Sequence, residues 1–308
     1  MTKRLLFLLP ALLLAAATLA AQDTGAGKPA GAQAATHNDD ADCPSDRYQF
    51  GDRWDRHETV QAVEQRTIAP GSISKLSLRP ARNGGVEVEG WERNEILVKA
   101  CKYASGYDSA EAQRRLAGIH MTVQGGDVTT DGPADENDWV VHLVVRVPAN
   151  INLEVSAHNG PISLRGVNGT VNAETVNGPI SVRRCNGAIH AEARNGPISL
   201  SESSGKIHVE AQNGPVTVRL NDKQWKGEGL EASTHNGPLH LSVPSGFESG
   251  VEVVSEGRSP FSCEQCKDEN RTWDDRGGKK VRLGPTGAPI VVRMSTINGP
   301  VSISPTFD

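Results

Sequence analysis

From Asn159 to Val218, apolar residues recur on a strict schedule. Each unit opens with Asn-Gly, and apolar side chains follow three and five positions after the Asn. The pairs are Ile162/Leu164, Val171/Ala173, Ile180/Val182, Ile189/Ala191, Ile198/Leu200, Ile207/Val209 and Val216/Val218, with polar residues between. Alternation with period two predicts half-buried strands. Asn-Gly predicts a tight turn with positive φ. It stands at Asn159-Gly160, Asn168-Gly169, Asn177-Gly178, Asn186-Gly187, Asn195-Gly196 and Asn213-Gly214, and Ser204-Gly205 fills the gap in the series. Each nine-residue unit is therefore one short strand and one corner.

Proline follows the glycine only in alternate units, as Pro161, Pro179, Pro197 and Pro215. The outward residues alternate too. Proline units carry Ser163/Arg165, Ser181/Arg183, Ser199/Ser201 and Thr217/Arg219; the others carry Asn172/Glu174, His190/Glu192 and His208/Glu210. The repeat is thus eighteen residues with two unlike halves. An antiparallel meander is one way to produce this. The other is a β-solenoid of eighteen-residue coils, which stacks like halves on like and builds two parallel sheets. The solenoid is favoured because it explains the recurring outward rows, and because large Leu164, Val182 and Leu200 would complement smaller Ala173, Ala191 and Val209 across a thin core.

The pattern returns in 230–243 with Asn236-Gly237 and in 291–304 with Asn298-Gly299, after insertions at 220–229 and 245–290. The array is expected to span 149–306. Residues 46–148 lack the schedule and predict a β-rich module with one short helix, capped by Asp108 or Ser109 and running to about Leu116, and a strong strand over 138–148. Residues 22–45 have no hydrophobic period and read as a flexible linker. Residues 1–21 pair Lys3 and Arg4 with an apolar run and small residues, the pattern of a cleaved signal peptide. Export to the periplasm, cell surface or medium follows as an expectation, with no transmembrane segment after cleavage.

Once the leader is gone, 30 cations face 37 carboxylates, with no basic block. That excludes nucleic acid and anionic membrane surfaces as partners. Five cysteines enter an oxidising compartment, so some pair and one is left over. Cys263 and Cys266 lack the second CxxC of a zinc site and the βαβ setting of a thioredoxin-like site, and read as a local disulfide. The pairing of Cys43, Cys101 and Cys185 is open.

The stretches 146–164, 225–244 and 295–304, with the Asn-Gly units between, resemble a bacterial domain family labelled "putative adhesin", related to head GIN domains. The resemblance covers roughly residues 70–306. It implies a β-solenoid-like fold and an exported or envelope-associated protein, and it offers no catalytic residues to carry over.

The candidate chemistry is spare. The corners lack the Asp and second Gly of a calcium β-roll. A ladder of Glu174, Glu192 and Glu210 beside His190 and His208 has the makings of a retaining glycosidase pair or a metal site, but repetition alone produces such rows. No catalytic, metal or cofactor residue is assigned. Arg165, Arg183 and Arg219 form the candidate ligand face, since guanidinium groups grip carboxylates and sulfates bidentately. Of the five tryptophans (54, 91, 139, 225 and 273), Trp225 and Trp273 lie in the insertions, where a ring either covers the core or stacks on a sugar. The sequence therefore predicts a non-catalytic binding scaffold, with an envelope glycan or a surface protein as partner. The rivals are a sensing module that contacts a protein and a polysaccharide-active enzyme using His190, Glu192 and Glu210. No oligomeric state follows from the sequence.

Overall fold

The computed structural model describes residues 43, 58–69, 71, 73–134, 137–264, 266, 271–273 and 278–306. The expected signal peptide, Trp54 and all of the expected linker except Cys43 lie outside the described residues. Among the described residues there are two sheets, of eleven and twelve strands, and one helix, Ser109–Ala117. The protein is nearly all-β.

Successive nine-residue units go to opposite sheets. In the first sheet, Ile162–Arg165, Ile180–Arg183, Ile198–Ser201, Val216–Arg219, Leu239–Val243 and Val301–Pro305 lie side by side. In the second sheet, Leu153–Asn159, Asn168–Asn177, Asn186–Asn195, Ser204–Asn213, Gly229–Asn236 and Ile290–Asn298 do the same. Every pairing along both rows is parallel, and through the uninterrupted units it joins residues eighteen apart: Ile162, Ile180 and Ile198 in one sheet, Val171, Ile189 and Ile207 in the other. The antiparallel meander does not form. The fourteen scheduled apolar residues all join one buried cluster, none more than 3% exposed. Each such burial contributes about 1.5–3 kcal/mol for a Val, Leu or Ile side chain.

The corners differ from the expectation. Only in the units without proline does the glycine take positive φ: 147° at Gly169, 122° at Gly187 and 113° at Gly205. At the proline corners neither residue of the Asn-Gly pair does. There the glycine answers to crowding, because a Cβ on Gly178, Gly196, Gly214, Gly237 or Gly299 would sit under 3.0 Å from the glycine of the neighbouring rung. The asparagines answer to one another. Asn159 donates from its side-chain amide to Asn83, Asn177 to Asn159, Asn195 to Asn177, Asn213 to Asn195, Asn236 to Asn213 and Asn298 to Asn236, all at 2.9–3.0 Å. A primary amide carries both donor and acceptor, so it repeats along a rung spacing of about 4.8 Å.

This geometry also explains the alternating proline. At the proline corner the N–H groups of Gly178 and Ile180 donate to the carbonyls of Asn195 and Pro197, so the residue between them is not needed as a donor. At the other corner the strand runs straight through, with Thr170 opposite Ala188 and Ala188 opposite Lys206. A proline in that slot would lose a ladder donor.

The ladder yields a prediction. Asn195→Ala removes one amide bond on each side and leaves Asn177 and Asn213 with one partner fewer. Because these groups reach water, we expect a loss of about 1–2 kcal/mol, read as a lower urea midpoint at unchanged m-value.

Both sheets run unbroken across residue 148. Val86–Trp91 pairs with Ile162–Arg165, Leu76–Arg79 pairs with Leu153–Asn159, and Asn83 heads the asparagine ladder. Residues 76–91 are thus one more rung of the same array. The segment 245–290 holds another: Gly250–Ser255 and Phe261–Cys263 pair in parallel with Ile290–Asn298 and Val301–Pro305. Antiparallel strands flank the array. Glu58–Ile68 and Ile96–Gly106 lie at one end, and Arg271–Trp273 and Lys279–Leu283 at the other. The helix packs on the first of these pairs, and the Asp108 side chain caps it by accepting from the Glu111 N–H at 2.7 Å.

Candidate functional site

Because the first sheet is in register, its outward positions form straight rows. One row reads Glu89, Arg165, Arg183, Ser201, Arg219, Ser242, with neighbours paired directly across adjacent strands. The three arginines of the candidate face are therefore collinear. Their states differ. Arg183 is held by Glu202 at 3.0 Å from Nε and 2.8 Å from Nη2. Arg165 and Arg219 are exposed and have no carboxylate partner among the described residues. Glu89, which caps the row, is occupied by Arg146. Two free guanidinium groups on a rigid line, with Arg183 and Ser201 between them, can meet spaced anionic groups bidentately.

The second sheet carries the other rows. His190 and His208 stack with ring centroids 5.2 Å apart and planes 8° from parallel. Each lies 3.8 Å from the glutamate two residues on, Glu192 or Glu210, and His208 also lies 3.6 Å from Glu231. Glu174, Glu192 and Glu210 stand in register and exposed. Among the described residues no group of three or more His, Cys, Asp or Glu is arranged to hold a metal ion. Beyond His208 the histidine row turns to mixed charge, Glu231, Arg293, Glu252 and Arg282. Burial pushes the Glu252 carboxyl up, but hydrogen bonds from Arg282 and Lys280 more than offset this and hold it below its ordinary value.

The insertions resolve in part. Trp225 is half-buried against the core, and its ring N–H donates to the Gly205 carbonyl at 3.0 Å. Trp273 stands on the short outer strand Arg271–Trp273. Trp139 is buried, and Trp91 lies under the Arg93 guanidinium at 5.0 Å. Cys263, the last residue of the edge strand of the first sheet, forms a disulfide with Cys266. Cys43 pairs with Cys101, which leaves Cys185 as the free, buried thiol, its pKa raised by burial. Two residues escaped the reading of the sequence, Arg184 and Glu202. They occupy the corner slot of Gly166 eighteen and thirty-six positions on, and that repeat spacing was the signal available.

No helix among the described residues is long and apolar enough to cross a membrane. The site is a set of rigid polar rows on an all-β protein with two long parallel-rich sheets. No family model matches the sequence, and no curated protein does. Among solved structures the chain is similar to a putative adhesin from Bacteroides fragilis NCTC 9343, at 10% identity over 80% of this chain and 97% of that one, with a TM-score of 0.34. It is similar to a putative cell adhesion protein from Clostridium sporogenes ATCC 15579, at 12% identity over 80% and 100%, TM-score 0.29. A putative lipid binding protein from Parabacteroides distasonis ATCC 8503 matches at 8% identity over 80% and 97%, TM-score 0.28. At TM-scores this low the likenesses carry no inference about function.

Proposed function

We propose that this chain is an exported, non-catalytic β-solenoid of eighteen-residue coils that serves as a binding scaffold at the cell envelope. The observation that supports this is the in-register parallel pairing, which aligns Arg165, Arg183 and Arg219 on a rigid sheet face. A preorganised row loses little side-chain and backbone freedom on binding, so a repeating anionic polymer can engage several rungs at once. The partner that suits the row best is an envelope glycan bearing carboxylate or sulfate groups.

Co-sedimentation of the chain from Gln22 with isolated cell envelopes tests the reading. Saturable binding is expected. Changing Arg165, Arg183 and Arg219 together to Ser is expected to weaken it about tenfold or more, since each charge-assisted contact is worth about 1.5–3 kcal/mol. Binding should also fall as salt is raised. Envelope binding that survives the triple change would move the contact off this face. No envelope binding, with one protein retained in stoichiometric amount instead, would favour a sensing module. Turnover of an envelope polysaccharide that is lost in Glu192→Gln would establish the enzyme.

A further inference from the structure

Two non-glycine residues among those described have left-handed backbones, Arg184 at φ 53° and Glu202 at φ 51°. They are adjacent rungs of one corner, and the preceding rung fills the same slot with Gly166 at φ 65°. Glycine holds this conformation without strain; a side chain there is costly and persists where its chemistry is needed. Both strained residues line one pocket of about 310 Å³. Arg219 and Phe247 line it too, and the 220–229 insertion adds Asp222, Gln224, Trp225 and Lys226.

From these observations we infer that this pocket is a binding site for a single acidic sugar residue, a hexuronate or a sialic-acid-type carboxylate. Its volume is at the small end of ligand pockets, about 300–1,000 Å³. Trp225 is anchored through its ring N–H to Gly205, so its ring is fixed where it lines the cavity. A fixed aromatic ring suits the apolar face of a pyranose. The charges select the anion. Glu202 is held by Arg183, and Lys226 is bound to Asp222 at 2.8 Å. That leaves the guanidinium of Arg219 with no carboxylate partner among the described residues, and Arg184 no nearer than 3.9 Å to Glu202. These two groups fit a carboxylate bidentately.

The carboxylates in the same wall argue against phosphate or sulfate. Glu202 and Asp222 can accept hydrogen bonds from the ring hydroxyls of a sugar, which a bare phosphate or sulfate ion lacks, and the Gln224 amide both donates and accepts. A polyhydroxylated ring with one negative charge satisfies all of these groups. The site deepens the glycan-binding reading by adding an end-on or single-residue contact to the extended arginine row, and it stands on separate residues except for Arg219.

Calorimetric titration of the purified chain with galacturonate, glucuronate and N-acetylneuraminate, against galactose and glucose, tests the assignment. At least one acid is expected to bind saturably and about tenfold tighter than its neutral counterpart. Arg219→Ser should erase that preference. Arg184→Gly is the sharper variant. It is expected to weaken acid binding about tenfold while raising Tm by about 2–4 °C through release of strain, so lost affinity cannot be lost folding. Arg165→Ser, which alters no residue lining the pocket, should leave sugar affinity unchanged and weaken envelope co-sedimentation. If none of the acids binds, if the neutral sugars bind equally, or if neither arginine change alters affinity, the site is rejected. Failure in the titration with Arg165-dependent envelope binding intact would reject the pocket alone. The reverse outcome would reject the sheet-face reading alone.

Discussion

Gly196→Ala is expected to lower the unfolding free energy by about 3–5 kcal/mol, a large part of the 5–15 kcal/mol typical of a domain. The methyl would lie 2.6 Å from the carbonyl carbon of Gly178 and nearer still to its oxygen. Both partners are backbone, so no side chain can swing away. Relief requires the two rungs to part, which stretches the Gly178 N–H to Asn195 bond of 3.1 Å and the Asn195 to Asn177 amide bond. On the other side Gly196 is itself the neighbour that Gly214 approaches. Urea unfolding should show the loss, and amide exchange should speed first in 177–219. Gly71→Ala is the control. A Cβ there meets nothing within 4 Å, and a change within about 0.5 kcal/mol is expected. If Gly196→Ala is as mild as Gly71→Ala, the close stacking of glycines is wrong.

Acidification gives the second large effect, centred on His142. This residue lies on the strand Trp139–Pro148, is 3% exposed, and accepts the Gly85 N–H at Nδ1 over 3.0 Å. Burial lowers its pKa from 6.5 to about 4. The folded state therefore holds the neutral ring at pH values where the unfolded chain has already bound a proton. The contribution is fully present above pH 6.5, is lost progressively as pH falls from 6.5 to about 4, and changes no further below that. The total loss is on the order of 3 kcal/mol. Urea midpoints between pH 7.5 and 4.8 should read most of it, since Glu64 and Glu252, whose pKa values lie below 4.5, hold their contributions through that window. His142→Asn keeps an acceptor near the Gly85 N–H without a titrating ring, and its stability should be nearly flat over the same range. A wild-type profile as flat as the variant's would overturn the assignment.

How much of this was legible beforehand depends on the distance over which each signal acts. The inward set from Ile162 to Val218 was readable because period-two alternation is local and the residues repeat. The parallel pairing was readable because only an eighteen-residue step lays Ser/Arg on Ser/Arg and His/Glu on His/Glu. The cap at Asp108 follows from one residue and its successors. The role of Asn-Gly was misread at the proline corners. In isolation the pair signals a turn, and only a neighbour eighteen residues away turns the amide into a ladder and the missing Cβ into clearance. The rungs at 76–91 and 250–263 were obscured because order along the chain is not order in space. Trp139–Pro148 lies outside Val86–Trp91, and Phe261–Cys263 lies outside Val301–Pro305.

The sequence by itself determined the strands, the inward and outward faces and the eighteen-residue step, since these depend on periodicity and on residues that repeat in register. Only the tertiary structure decided which arginines stay free of carboxylates, that Cys43 meets Cys101, that His142 is buried, and that Arg184 and Glu202 share a pocket with Trp225. Those facts depend on segments brought together across many residues, where burial and clearance are set by the neighbour in space and leave no mark on the local pattern.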